Sequence, residues 1–82
     1  MKPINEYDLI IGEKIKEERV KRKMSLAEAG KVFGVSLYAI CNYEKGKRGM
    51  SAEMLFNMLN YYEIDADTFV QEVINEAKRR RA

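Results

Sequence analysis

Two helix-start signals eleven residues apart, with a glycine between them, constrain this chain more than any other feature. Ser25 is followed three residues later by Glu28, the reciprocal arrangement in which a hydroxyl and a carboxylate each satisfy a backbone amide that a helix start leaves open. Leu26, Ala29, Gly30 and Phe33 trace an apolar stripe that ends at Gly34. Val35-Ser36 restarts the pattern at once, with Ser36 as the next cap and Ala39, Ile40 and Tyr43 on one face before the stop at Lys45-Gly46. Neither segment has room for more than about two turns. Two such helices joined by a short glycine-containing turn form a helix-turn-helix unit, in which the second helix is held out from the body.

Longer helices flank this unit. Asn5 is a good cap, with Glu6 and Asp8 in the positive first turn, and Ile11 and Ile15, joined by the stem of Arg19, recur at helical spacing, which predicts a first helix over about residues 6–22. Ser51 opens a fourth helix through residue 62, whose Met54, Leu55, Met58, Leu59 and Tyr62 make a broad apolar face and mark it as the expected central core helix. Asp65 caps a fifth, which carries Phe69, Val70, Val73 and Ile74 and ends in Lys78-Arg79-Arg80-Arg81. That basic end could reach a polyanion, complement the helix terminus or lie unordered as a tail. No hairpin signal interrupts the pattern. The expectation is an all-α, compact five-helix fold, with residues 1–82 as a single domain.

With 46% hydrophobic and 34% charged residues, the chain has the composition of a globule, and no apolar run approaches the ~20 residues of a membrane span. A lone Cys41 and no leader-like start point to a reducing cytoplasm. Histidine is absent, which removes His/Cys zinc sites and imidazole-based triads; the five glycines match neither the P-loop nor the dinucleotide pattern. Carboxylate pairs such as Glu17/Glu18 and Asp65/Asp67 fall where solvated helix charges belong. No catalytic residue, metal, cofactor or small-molecule ligand is therefore expected, and no enzyme. Charge is uneven: residues 1–50 hold 11 Lys/Arg against 7 Asp/Glu, and residues 51–82 hold 4 against 6. Lys21-Arg22-Lys23 and Lys45, Lys47, Arg48 sit on either side of the paired short helices, so folding could gather them into one positive face suited to a phosphate backbone.

The set Met24-Ser25, Phe33-Gly34-Val35-Ser36, Ile40, Tyr43-Glu44-Lys45-Gly46-Lys47-Arg48, Ser51, Leu55 and Ile64 resembles the phage repressor and Cro type (XRE-like) of helix-turn-helix DNA-binding family. The likeness covers residues 11–69 and leaves 70–82 as an extended C-terminal helix and basic tail. It implies a lambda-repressor-like fold in which Ile40 and Tyr43 pin the recognition helix, and a structural ion pair between Arg19 and Glu44. Three positions depart from the family's pattern. Gly30 stands where relatives generally have Ala, at a helix-propensity cost of about 0.8–1 kcal/mol that predicts a softer turn. Leu26 replaces a frequent glutamine, and Leu37 and Tyr38 replace short polar or basic residues at the front of the third helix.

If the third helix enters a major groove, its outward residues meet base edges and its flanks meet phosphates. Asn42 suits bidentate pairing with adenine, Leu37 and Tyr38 suit thymine methyls, and Cys41 is a small inert side chain on the same surface, which predicts an A/T-leaning site. Ser25, Ser36, Lys45, Lys47 and Arg48 are the phosphate-contacting candidates. One such helix reads only a few base pairs, so a homodimer on an inverted-repeat operator is expected, with Tyr61, Tyr62, Phe69, Val70, Val73 and Ile74 as its interface; Phe69, Val70 and Val73 could alternatively close the core. The reading is a double-stranded-DNA-binding transcriptional regulator, simplest as a repressor acting by occlusion. A protein-binding adaptor or antitoxin-type partner protein on the same fold, using Leu26, Leu37 and Tyr38, stays open beside it.

Overall fold

Each helix starts on the side chain of the residue before it. In the computed structural model, which describes residues 4–82, Asn5 Oδ1 accepts the amides of Tyr7 at 2.9 Å and Asp8 at 3.2 Å, and Asp65 Oδ2 accepts that of Thr68 at 2.9 Å. The hydroxyls of Ser25, Ser36 and Ser51 accept the amides of Glu28, Ala39 and Met54 at 3.0–3.1 Å, and Glu28 Oε1 returns the bond to the Ser25 amide. Such a cap stabilises a helix by about 1 kcal/mol. The helices they open are α1 (Glu6–Lys21), α2 (Leu26–Phe33), α3 (Leu37–Glu44), α4 (Ala52–Tyr61) and α5 (Ala66–Arg81). Residues 1–3 of the domain as delimited from sequence lie outside the described residues.

The chain leaves α1 to α4 by one repeated device. A residue turns left-handed, and the next amide reaches back five positions: Met24 to Arg19, Val35 to Gly30, Lys47 to Asn42 and Ile64 to Leu59, at 2.9–3.1 Å. The left-handed residues are Lys23, Gly34, Gly46 and Glu63. Two of the four are glycines, and those two ends were legible in the sequence.

Ile10 and Ile15 of α1, Ala29 of α2, Ile40 and Tyr43 of α3, Met58 and Leu59 of α4, the Tyr62 that caps α4, and Phe69, Val73 and Ala77 of α5 form one buried core. The packing centres on the first three helices, α3 lying against both α1 and α2 and α1 also against α5, whereas α4 packs chiefly on α2; this corrects the expectation that α4 is central. Gly12 sets the closeness of α1 to α3, since a Cβ there would overlap the Tyr43 carbonyl oxygen, so only glycine lets α1 press so closely on the last turn of α3. No described helix is long and apolar enough to cross a membrane.

Three of the six residues read as a dimer interface are placed elsewhere. Tyr62, Phe69 and Val73 are 1%, 4% and 5% exposed, and they fill the core of their own chain. Phe69, Val73 and Ala77 recur at four-residue spacing on the inward face of α5, so the periodicity that marked them as apolar surface is what buries them. Tyr61 and Val70 remain exposed and Ile74 half-buried. The basic end is likewise no loose tail: α5 stays helical through Arg81 and is tied to α1 by Lys14 Nζ–Glu72 at 3.3 Å, Arg80 Nη2–Glu13 at 2.6 Å and Arg81 Nε–Glu6 at 2.9 Å.

Candidate nucleic-acid interface

The turn between α2 and α3 sets the presentation of α3. A Cβ on Gly30 would lie 2.6 Å from the Val35 carbonyl oxygen and 3.3 Å from the Leu37 amide nitrogen. Alanine at this position would push the turn off α2. The departure that predicted a softer turn is therefore a steric requirement, and its propensity cost is offset by a closer approach.

Ala39, Ile40, Tyr43 and Glu44 face inward and leave the opposite side of α3 uncovered. Tyr38 is 73% exposed, Leu37, Asn42 and the capping Ser36 are exposed, and Cys41 is half-buried at the edge. These side chains lie along one protruding helix face, with Lys45, Lys47 and Arg48 exposed just beyond its C-terminal end. Ser25 and Ser36 cap α2 and α3 by accepting a backbone amide, which leaves each O–H hydrogen free to donate to an anion. Leu26, by contrast, is half-buried and packs against the core, so it is no part of a free apolar surface.

Behind α3, Arg19 of α1 grips Glu44 in a fork, Nε to Oε2 at 2.7 Å and Nη2 to Oε1 at 3.0 Å, while its Nη1 donates to the Met24 carbonyl at 2.6 Å. Both side chains are buried. Donating to the Glu44 carboxylate holds the Arg19 guanidinium above its already high pKa against the opposing cost of burial. Relative to an apolar pair of the same shape the bridge gains little, but either member left alone would be an uncompensated buried charge. It fixes the angle between the first and third helices and also the chain reversal after α1, because Met24 leads directly into the Ser25 cap.

Three contacts at this end of the molecule carried no sequence signal. Arg48 lies over the ring of the buried Tyr43, 5.3 Å from its centroid, so this guanidinium is oriented while Lys45 and Lys47 have no such support. Arg22 caps α4 by donating from Nη2 to the Tyr62 carbonyl at 2.5 Å, and its guanidinium stacks 4.8 Å from the same tyrosine ring. That use holds Arg22 against the end of α4. Phe33, Tyr61 and Tyr62 meet edge to face at 5.4–5.8 Å and lock α2 to the end of α4.

Comparison with known proteins follows this geometry. The helix-turn-helix family matches residues 15–69, which run from the buried Ile15 to the buried Phe69. An HTH-type transcriptional regulatory protein of Methanoregula boonei is 38% identical over 76 residues, and an HTH-type transcriptional regulator of Sinorhizobium fredii is 26% identical over 74. The alignments take in 93% and 90% of this chain but only 22% and 52% of those relatives, so the chain spans about a fifth and about half of their lengths. The crystal structure of the clp gene regulator ClgR from C. glutamicum superposes with a TM-score of 0.70, covering 99% of this chain and 97% of that one at 21% identity, which is a likeness of fold.

Proposed function

The chain belongs to the helix-turn-helix family, and from that premise we propose that it is a sequence-specific, double-stranded-DNA-binding transcriptional regulator, a binding protein and not an enzyme. In this reading a cytoplasmic homodimer lays one α3 from each protomer into successive major grooves of an inverted-repeat operator and represses by occlusion. The observation that carries it is the uncovered face of α3, with Leu37, Tyr38 and Asn42 exposed together on a helix whose other side is clamped by Ile40, Tyr43 and the Arg19–Glu44 pair.

Asn42 reads adenine through its amide, Leu37 and Tyr38 cover thymine methyls, and Cys41 lies against the groove wall. Ser25, Ser36, Lys45, Lys47 and Arg48 hold phosphates and set register without reading sequence. Arg19 and Glu44 support the helix and touch no DNA. Similarity to proteins described as HTH-type transcriptional regulators supports the regulatory role.

Selection of the purified chain against random duplex DNA at physiological salt, followed by sequencing, tests this. Recovery of an A/T-leaning inverted repeat with half-sites about one helical turn apart is the expected outcome. Enrichment of no sequence would overturn it and favour the second reading, a protein-binding adaptor. That reading now rests on Leu37 and Tyr38 alone, since Leu26 packs inward.

A further inference from the structure

Resting on the DNA-binding reading above, we infer that Tyr43 is a positioning residue for it: the tyrosine ring aims the Arg48 guanidinium at a phosphate, and that aimed arginine, rather than the lysines beside it, sets where α3 sits along the groove. Arg19, Arg22, Arg79, Arg80 and Arg81 each meet a carboxylate of their own chain. Arg48 is the exception, with no salt bridge and no side-chain hydrogen bond among the described residues, yet its guanidinium is held 5.3 Å from the centroid of the Tyr43 ring. A ring beneath a guanidinium occupies one of its faces and none of its N–H donors. The fork stays open at its edge, where the two free oxygens of a phosphodiester accept.

The backbone on either side of Arg48 is seated as well. Gly46 is buried and left-handed, and a Cβ on it would lie 2.7 Å from the Leu9 Cα, while a Cβ on Gly49 would lie 3.0 Å from Oδ2 of Asp8. Both neighbours belong to the first turn of α1, so the loop rests on that turn before and after residue 48. Between these two supports the Lys47 amide donates to the Asn42 carbonyl at 3.0 Å, which bonds the loop to the residue that reads adenine in the proposed complex. A phosphate gripped by Arg48 is thereby placed at a fixed offset from Asn42. Lys45 and Lys47 carry the same charge on flexible stems, with no ring or carboxylate holding them among the described residues, and they add attraction without setting a distance.

Fluorescence anisotropy of the full chain on a fluorescein-labelled duplex of mixed sequence tests the coupling through a double-mutant cycle. Arg48→Lys keeps the charge and loses the fork, and it is expected to weaken binding about three- to tenfold with the salt slope unchanged. Tyr43→Met removes the ring and is expected to weaken binding by a similar factor, with rescue by the conservative Tyr43→Phe. The double variant, Tyr43→Met with Arg48→Lys, is expected to bind no more weakly than either single one. A ring that only supported the core would weaken binding by the same factor with Arg or Lys at position 48, so losses that multiply would overturn the coupling and leave the DNA-binding reading standing. Should Tyr43→Met fail to fold, the exposed Arg48→Lys decides alone, and a lysine that binds as tightly as the arginine would overturn the inference. On the duplex recovered by selection the Arg48→Lys loss is expected to exceed that on mixed sequence, because only there does Asn42 have a base to miss; equal losses would overturn the role of Arg48 in register. A wild type that binds no duplex would overturn the DNA-binding reading and the Tyr43–Arg48 anchor together.

Discussion

The loop after α3 and the last turn of α5 are both dense in cations, but only the second is largely neutralised from within. Arg79 and Arg80 reach Glu76 at 2.5 Å and 2.8 Å, Arg80 also reaches Glu13, and Arg81 reaches Glu6 while lying over the Tyr7 ring. Lys45, Lys47 and Arg48 meet no carboxylate among the described residues, and Arg48 has only the Tyr43 ring beneath it. A cation whose counter-charge belongs to its own chain has to surrender that partner before it can serve a phosphate. The cations of the loop owe nothing of the kind, so their counter-charge is left to a ligand. The Arg19–Glu44 bridge is the third case, a pair so far from water that neither member can be spared.

The largest effect is expected at that buried pair. Glu44→Ala strands the Arg19 guanidinium in the core and should cost about 3–5 kcal/mol of stability, read by urea unfolding. A loss no larger than an exposed pair gives would mean that water reaches Arg19. Next in size is the triple substitution of Lys45, Lys47 and Arg48 by Ala. At about 0.1 M salt it should lower duplex-DNA affinity by one to two orders of magnitude, and it should reduce the salt slope by about 2.7, at roughly 0.9 per phosphate contact. The melting temperature should stay near that of wild type. Fluorescence anisotropy across a salt series reads both quantities, and an unchanged slope would remove the loop from the interface.

The matching triple, Arg79, Arg80 and Arg81 to Ala, should do the reverse. The DNA salt slope is expected to hold, and the melting temperature to fall at low salt and converge on wild type as salt screens the α1–α5 pairs. A changed slope would place the end of α5 on the DNA after all.

The smallest effect is one of pH. Hydrogen bonding to Arg80 holds the Glu76 carboxyl below its ordinary pKa, and bonding to Arg22 does the same for Glu18. A carboxyl whose folded pKa is depressed contributes stability that is complete above the unfolded value, about 4.3, and disappears as pH falls through the lower folded value. Wild-type melting temperature should therefore decline on acidification below about pH 5, and the Arg79, Arg80, Arg81 triple should show a shallower decline because Glu76 has lost its partners. Parallel curves for the two proteins would mean that these pairs do not persist in solution.

Much of the architecture was legible residue by residue. The five helix starts were readable because capping is chemistry over three positions, and Ser25 with Glu28 announces itself without tertiary help. Helix ends were legible at Gly34 and Gly46, where glycine occupies the left-handed position, but Lys23 and Glu63 adopt the same conformation with no glycine to signal it. On α1 the spacing picked out Ile15 and Arg19 but passed over Ile10 and Gly12. The importance of Gly12 exists only because the end of α3 crosses there. On α5 the apolar residues were found and their facing was not: a 3,4 pattern names a stripe without saying whether the stripe meets its own core or a partner. Hence Phe69 and Val73 read equally as interface or as core until α1 was seen to cover them.

What the sequence determined by itself was the succession of five helices, the short pair at residues 25–44 and the surface chemistry carried by its second member, because caps and helical periodicity act over three to seven residues. Which charges are already paired and which are free was settled by the packing of the helices. Arg81 finds Glu6, Arg22 finds the Tyr62 carbonyl and Arg80 finds Glu13 across 75, 40 and 67 positions of chain. Pairings at such separations depend on how the helices pack, and no local pattern records them.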